Sequence, residues 1–202
     1  LTKKVLFLAK KIKHMPDTSG SFNILGVDPG TTVLGFAVLE VCQKELRAVE
    51  IGVVQLHKFE DHPTRLKRIF ERLQGIIAFH TPRLMAIEAP FYGKNPQSML
   101  KLGRAQGVAI AAAMTNGLEV AEFSPKTIKQ SVTGNGNASK EQVAAMLAQL
   151  LRAPIEETFL DATDALAAAV CCHFQSGTAL GGGSTKKGWG AFLKENPGRV
   201  AK

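Results

Sequence analysis

Two apolar, β-branched-rich runs of strand length, residues 24–27 and 33–39, open the body of this chain and are joined by a five-residue turn. Residues 46–56 read as a third strand whose alternation is imperfect. Over residues 63–79 the spacing changes. Leu66, Ile69, Phe70, Leu73, Ile76 and Ile77 recur at helical intervals with basic residues between them. Residues 83–90 form a short apolar strand. Asn95 followed by Pro96 is a helix start, a capping side chain before proline at the first helical position, and that helix runs to about residue 115. A fifth strand is predicted at 118–123. Ser124-Pro125 then opens a short helix ending near Val132. Ser139 with Gln142 makes a capping box for a helix over 140–151, and a last helix covers about 161–175. Strands first, then helices alternating with strands, predict an α/β fold: a mixed five-stranded sheet flanked by helices.

Composition adds boundaries to this picture. A chain of 202 residues with 45% apolar residues suits one domain plus tails. No apolar run approaches the ~18 residues of a membrane span. The apolar patch at 5–9 is too short for a signal-peptide core, and no small-residue cleavage site follows it. Cys42, Cys171 and Cys172 make neither a CxxC pair nor a metal spacing, so reduced thiols and a cytoplasmic protein are expected. The net charge of +8 is concentrated at the ends: residues 1–20 and 181–202 each carry +4, which leaves 21–180 neutral. The basic pI is therefore weak evidence for a nucleic-acid-binding fold, and any binding face must come from sorting charges within the body. Residues 1–20 are expected to be a basic extension outside the fold, 21–180 the domain, and 181–202 a Gly-rich linker with a basic, Trp-containing tail. The chain begins with Leu, which fits a fragment, an alternative start codon or an early start, with Met15 a candidate start.

Four acids hold the candidate chemistry. Asp28 ends the first strand and Glu88 the fourth, while Asp161 and Asp164 stand three apart on one face of the last helix. Hard divalent cations take oxygen ligands, and two such ions about 4 Å apart serve phosphodiester hydrolysis. No His/Cys cluster points to zinc instead. Each acid also has a plainer reading. Asp28-Pro29-Gly30 fits the first three positions of a type II turn, Glu88 a solvated strand end, and Asp161 with Asp164 an N-cap and a first-turn acid.

The stretches "ILGVDPGTTVLGFAV", "MAIEAPFYGKNPQSMLKLGRAQGV", "SPKTIKQSVTGNGNASKEQV" and "DATDALAAAVC" resemble the four blocks of the RuvC family of bacterial Holliday-junction resolvases, in the family's order over roughly residues 23–175. The resemblance implies a ribonuclease-H-like fold and a homodimer that cuts four-way DNA junctions symmetrically in recombination and repair. It also implies two Mg2+ ions per subunit, with Mn2+ as the alternative, and partnership with the RuvA–RuvB branch-migration complex. The family's catalytic and metal-binding acids fall on Asp28, Glu88, Asp161 and Asp164.

Acids repel phosphate, so separate cations must reach the DNA. Lys94, Lys101, Arg104, Lys126, Lys129 and Lys140 occupy a stretch whose only acids are Glu119 and Glu122. The resemblance makes Lys129 and Lys140 phosphate contacts near the scissile bond, and Phe91 the aromatic that faces DNA, with Tyr92 and Lys94 beside it. A plainer reading packs one of the two rings on the following helix. In the helix at 96–115, Gly103 and Gly107 lie four apart among alanines. That pattern fits core packing, and it also fits the two-fold interface that paired cleavage requires. Three rivals remain at this point. They are an ATP-binding fold of the actin and sugar-kinase group, suggested by "GVDPGTTVLG"; a related nuclease of RNA; and a junction-binding protein without catalysis. The first needs a second domain and a second glycine-rich motif, and the last would be expected to have lost an acid.

Overall fold

The computed structural model describes residues 20–43, 45–90, 95–154 and 160–180. The expected basic extension, apart from Gly20, and the expected tail at 181–202 lie outside the described residues. Five strands, β1 (Ser21–Asp28), β2 (Val33–Cys42), β3 (Glu45–Gln55), β4 (Leu84–Glu88) and β5 (Glu119–Phe123), form one sheet in the order β3-β2-β1-β4-β5. The β1–β2–β3 meander is antiparallel, whereas β4 and β5 run parallel to β1, so the sheet is mixed as predicted. The helices are α1 (His62–His80), α2 (Pro96–Met114), α3 (Pro125–Thr133), α4 (Lys140–Leu151) and α5 (Leu160–Leu180).

Local chemistry sets several boundaries. Asp61 caps α1 by accepting from the Thr64 amide, and Asn95 accepts from Gln97 and Ser98 at the start of α2. Ser139 and Gln142 make the reciprocal capping box of α4. α1 stops at Thr81, which adopts a left-handed φ of 43°. One expected turn is corrected. A type II turn needs positive φ at its third residue, and Gly30 is not among the described glycines with positive φ. Glycine is required there for closeness instead: a Cβ would sit 1.8 Å from the Val33 carbonyl oxygen.

Period-2 alternation divides the strands between two cores. Leu25, Val27, Leu34, Phe36, Val38, Met85 and Ile87 pack on α1 and α2. Ile24, Ala37, Leu39, Val41 and Ala86 pack on α3, α4 and α5. From Ala165 to Cys172 α5 is apolar all round and wholly buried, as expected of a central helix. It lies unusually close to the sheet, since a Cβ on Gly26 would meet the Ala165 carbonyl oxygen at 2.0 Å. Among the described residues, no helix is long and apolar enough to cross a membrane.

Candidate active site

The alternation that buries β1 also aims its last residue. Ile24 and Gly26 face α5, so Asp28, two residues on, faces α5 as well. β4 repeats the pattern. Val27 pairs with Ile87 in the parallel register, one residue before Asp28 and Glu88, and Ala86 belongs to the α5 core. Two carboxylates thereby end adjacent strands on one face. α5 begins over that spot. Gly35 is the cross-strand partner of Asp28, and its missing side chain admits the Asp161 carbonyl oxygen, 2.0 Å from where a Cβ would stand. Asp161 lies in the first turn of the helix, and Asp164, three residues on, shares its face.

Carboxylate oxygens of Asp28, Asp161 and Asp164 all lie within 4.8 Å of one another, and each residue is half-buried. Glu88 stands outside this trio but is coupled to it electrically. Burial, then the charges of Glu88, Asp164 and Asp161, push the Asp28 carboxyl up to about 8. Burial and Asp164 push Glu88 up to about 7, against the charges of Lys140 and Lys129. Acids crowded so that two of them resist ionising lack positive charge. An all-oxygen donor set with that deficit fits a hard divalent cation, and among the described residues it is the group able to hold a metal.

Two plainer readings of the acids do not hold. Asp161 is not an N-cap, because α5 starts at Leu160 and Asp161 already lies within the helix. Glu88 is not a freely solvated strand end; burial is the largest influence on it.

The cations sort by face. Lys140, the first residue of α4, donates to Asp164 Oδ2 over 2.5 Å. Burial lowers its pKa, but the hydrogen bond and the charges of Asp164, Asp161 and Asp28 outweigh it and leave the ammonium above its ordinary value. Lys129 acts on Glu88 from the same side. Lys101 and Arg104 belong to α2 on the other layer, where burial and then their charges lower the pKa of His62. The basic stretch of sequence is thus not one surface. Phe91, Tyr92 and Lys94 lie outside the described residues.

Two features escaped the sequence reading. One is the pair Gly26 and Gly35, for which glycine inside a strand was the available signal of close approach. The other is Arg65 of α1, which donates to the Thr31 and Phe59 carbonyls and so ties the turn after Asp28 to the helix; no motif announces it.

The model of the family described as "Crossover junction endodeoxyribonuclease RuvC" matches residues 24–173. The chain belongs to the RuvC family. Among its RuvC relatives, that of Porphyromonas gingivalis is 54% identical over 181 residues, 88% of this chain and 96% of the relative. That of Cytophaga hutchinsonii is 54% identical over 188 residues, 93% and 92% of the two chains. Among solved structures, Thermus thermophilus RuvC in complex with Holliday junction substrate superposes with a TM-score of 0.71 at 30% identity, covering 78% of this chain and 96% of that one. The ribonuclease-H-like fold expected of the RuvC resemblance is therefore the observed fold.

Proposed function

We infer that this chain is a crossover junction endodeoxyribonuclease that resolves Holliday junctions by hydrolysing phosphodiester bonds at symmetric positions. The observation that carries this reading is the convergence of Asp28, Asp161 and Asp164 oxygens within 4.8 Å at the end of a RuvC-family sheet. Asp28, Glu88, Asp161 and Asp164 would hold two Mg2+ ions, with Mn2+ as the alternative. When bound, such ions polarise the phosphate and make water nucleophilic at neutral pH. The protein's own part is to fix the four carboxylates on adjoining elements, so that little reorganisation is left for the reaction. Lys129 and Lys140 contact phosphates beside the cut. Phe91 and Tyr92 stack on bases at the junction centre with Lys94 at the backbone, as the matching family block suggests. Cleavage leaves a 5′-phosphate and a 3′-hydroxyl.

Paired cuts require two sites, and α2 supplies the surface for a homodimer. Leu100 and Met114 are each 65% exposed, and Gly103 and Gly107 between them have open space where a Cβ would stand. Core packing accounts for Ala105, Ala109, Ala112 and Ala113, which are buried, but not for these two glycines. An apolar stripe with two glycines admits a second helix closely, and a C2 axis through it makes the contact self-complementary. A RuvA–RuvB branch-migration complex would deliver the junction.

The test is a synthetic four-way junction with Mg2+. Wild-type protein gives paired nicks at symmetric positions, and Asp28→Asn binds the junction without cutting. Equal cleavage of linear duplex and junction would contradict junction resolution while leaving a nuclease.

A further inference from the structure

The residue that meets the acid cluster in this protein is itself a cation. Lys140 Nζ sits 2.5 Å from Asp164 Oδ2. The same ammonium acts electrostatically on Asp28 and Glu88, and Asp161 acts on it in turn. One positive charge is thereby coupled to all four carboxylates. At the first position of α4 the ammonium opposes the helix dipole, so the acids, and not the helix, hold it there. The Ser139–Gln142 capping box fixes its backbone, while its side chain remains 49% exposed. The anchor is rigid, and the flexible stem has solvent to swing into.

Asp164 cannot offer one face to an ammonium and to a divalent cation without bringing like charges together, and the repulsion is twice that of two unit charges. We propose that Lys140 is a built-in competitor for the divalent cation: it occupies Asp164 in the metal-free protein, is displaced as the carboxylates take up metal, and is thereby freed for a DNA phosphate. This rests on the reading of the four acids as metal ligands. Linkage gives it a functional consequence. A phosphate that draws Lys140 off Asp164 raises the affinity of the site for metal, by the same factor that metal raises the affinity of Lys140 for phosphate. The protein loads metal best when DNA is in place.

The experiment is a calorimetric titration of the full chain with Mn2+ alone, without DNA, comparing wild type, Lys140→Gln, Lys129→Gln and Asp28→Asn. Lys129→Gln removes the same formal charge from beside Glu88 without touching the Asp164 contact. Lys140→Gln is expected to bind Mn2+ about tenfold tighter than wild type, within the ordinary range of coupling between sites. Lys129→Gln is expected to differ from wild type by no more than about twofold, its charge being more distant and screened. Unchanged or weaker binding by Lys140→Gln would overturn the proposal, as would an equal gain in Lys129→Gln, which would mark a general charge effect. Binding that is indifferent to Asp28→Asn would overturn the metal reading of the acids itself, and the proposal with it.

Discussion

Gly35 and Asp161 are packed so closely that the position of a Cβ on Gly35 falls 2.0 Å from the Asp161 carbonyl oxygen. Gly35 is also the ladder partner of Asp28, so one missing side chain brings the two ends of the acid cluster together.

Gly35→Ala should therefore push the start of α5 off the sheet and carry Asp161 and Asp164 with it. Overpacking of this kind costs about 1–3 kcal/mol of stability. Junction cleavage should fall by well over about tenfold, since small misplacements of reacting groups cost about a hundredfold. Denaturant unfolding alongside single-turnover cleavage checks both. A stable variant with full activity would show that this contact does not place the acids.

The raised carboxyls of Asp28 and Glu88 fix the sign of a pH effect. Both keep protons in the folded, metal-free protein that the unfolded chain has already released, with folded values about 8 and about 7. Folding binds more protons than unfolding across that window, so metal-free stability should decline as pH rises from about 4 to about 8. Asp28→Asn should flatten the decline, and added Mg2+ should restore more stability at pH 8 than at pH 6. Melting temperatures against pH, with and without metal, test this.

Glu50 predicts the opposite limb. It accepts from His80 over 2.6 Å and from Arg72 over 2.9 Å, and Arg72 lies over the Phe36 ring. The His80 hydrogen bond, opposed by burial and aided by Arg72, holds its carboxyl below the usual range. That stabilisation is present above its ordinary pKa and is lost as pH falls through the lowered folded value. Glu50 pairs with Val38, in the middle of β2 and away from the acid end. Glu50→Ala should cost about 1–3 kcal/mol by removing the carboxylate that accepts from His80 and Arg72, without changing Mn2+ affinity.

Leu100→Glu with Met114→Glu places charges on the exposed stripe of α2. The pair should shift the protein from dimer to monomer in sedimentation, with paired nicks giving way to single ones. A monomeric wild type would contradict the interface.

Much of this was legible in the sequence, for identifiable reasons. The two strand-terminal acids follow from short apolar runs that stop at a carboxylate, and the helix starts follow from Asn95-Pro96, Ser124-Pro125 and Ser139 with Gln142. What was not legible depends on contacts between distant segments. Gly30 reads as a turn glycine, yet it serves closeness to Val33; Gly26 and Gly35 carry the general signal of a glycine inside a strand, but nothing local says that α5 is what approaches them. Lys101, Arg104, Lys129 and Lys140 look continuous along the chain, but helices on opposite layers divide them. The ion pair of Lys140 with Asp164 joins positions 24 residues apart, and no local pattern encodes it.

The most direct measurement is anomalous scattering from crystals soaked in Mn2+. Peaks bounded by Asp28, Asp161 and Asp164, one of them reaching Glu88, are the predicted result. Strong Mn2+-dependent cleavage by a protein whose crystals show manganese only elsewhere would contradict a shared metal site.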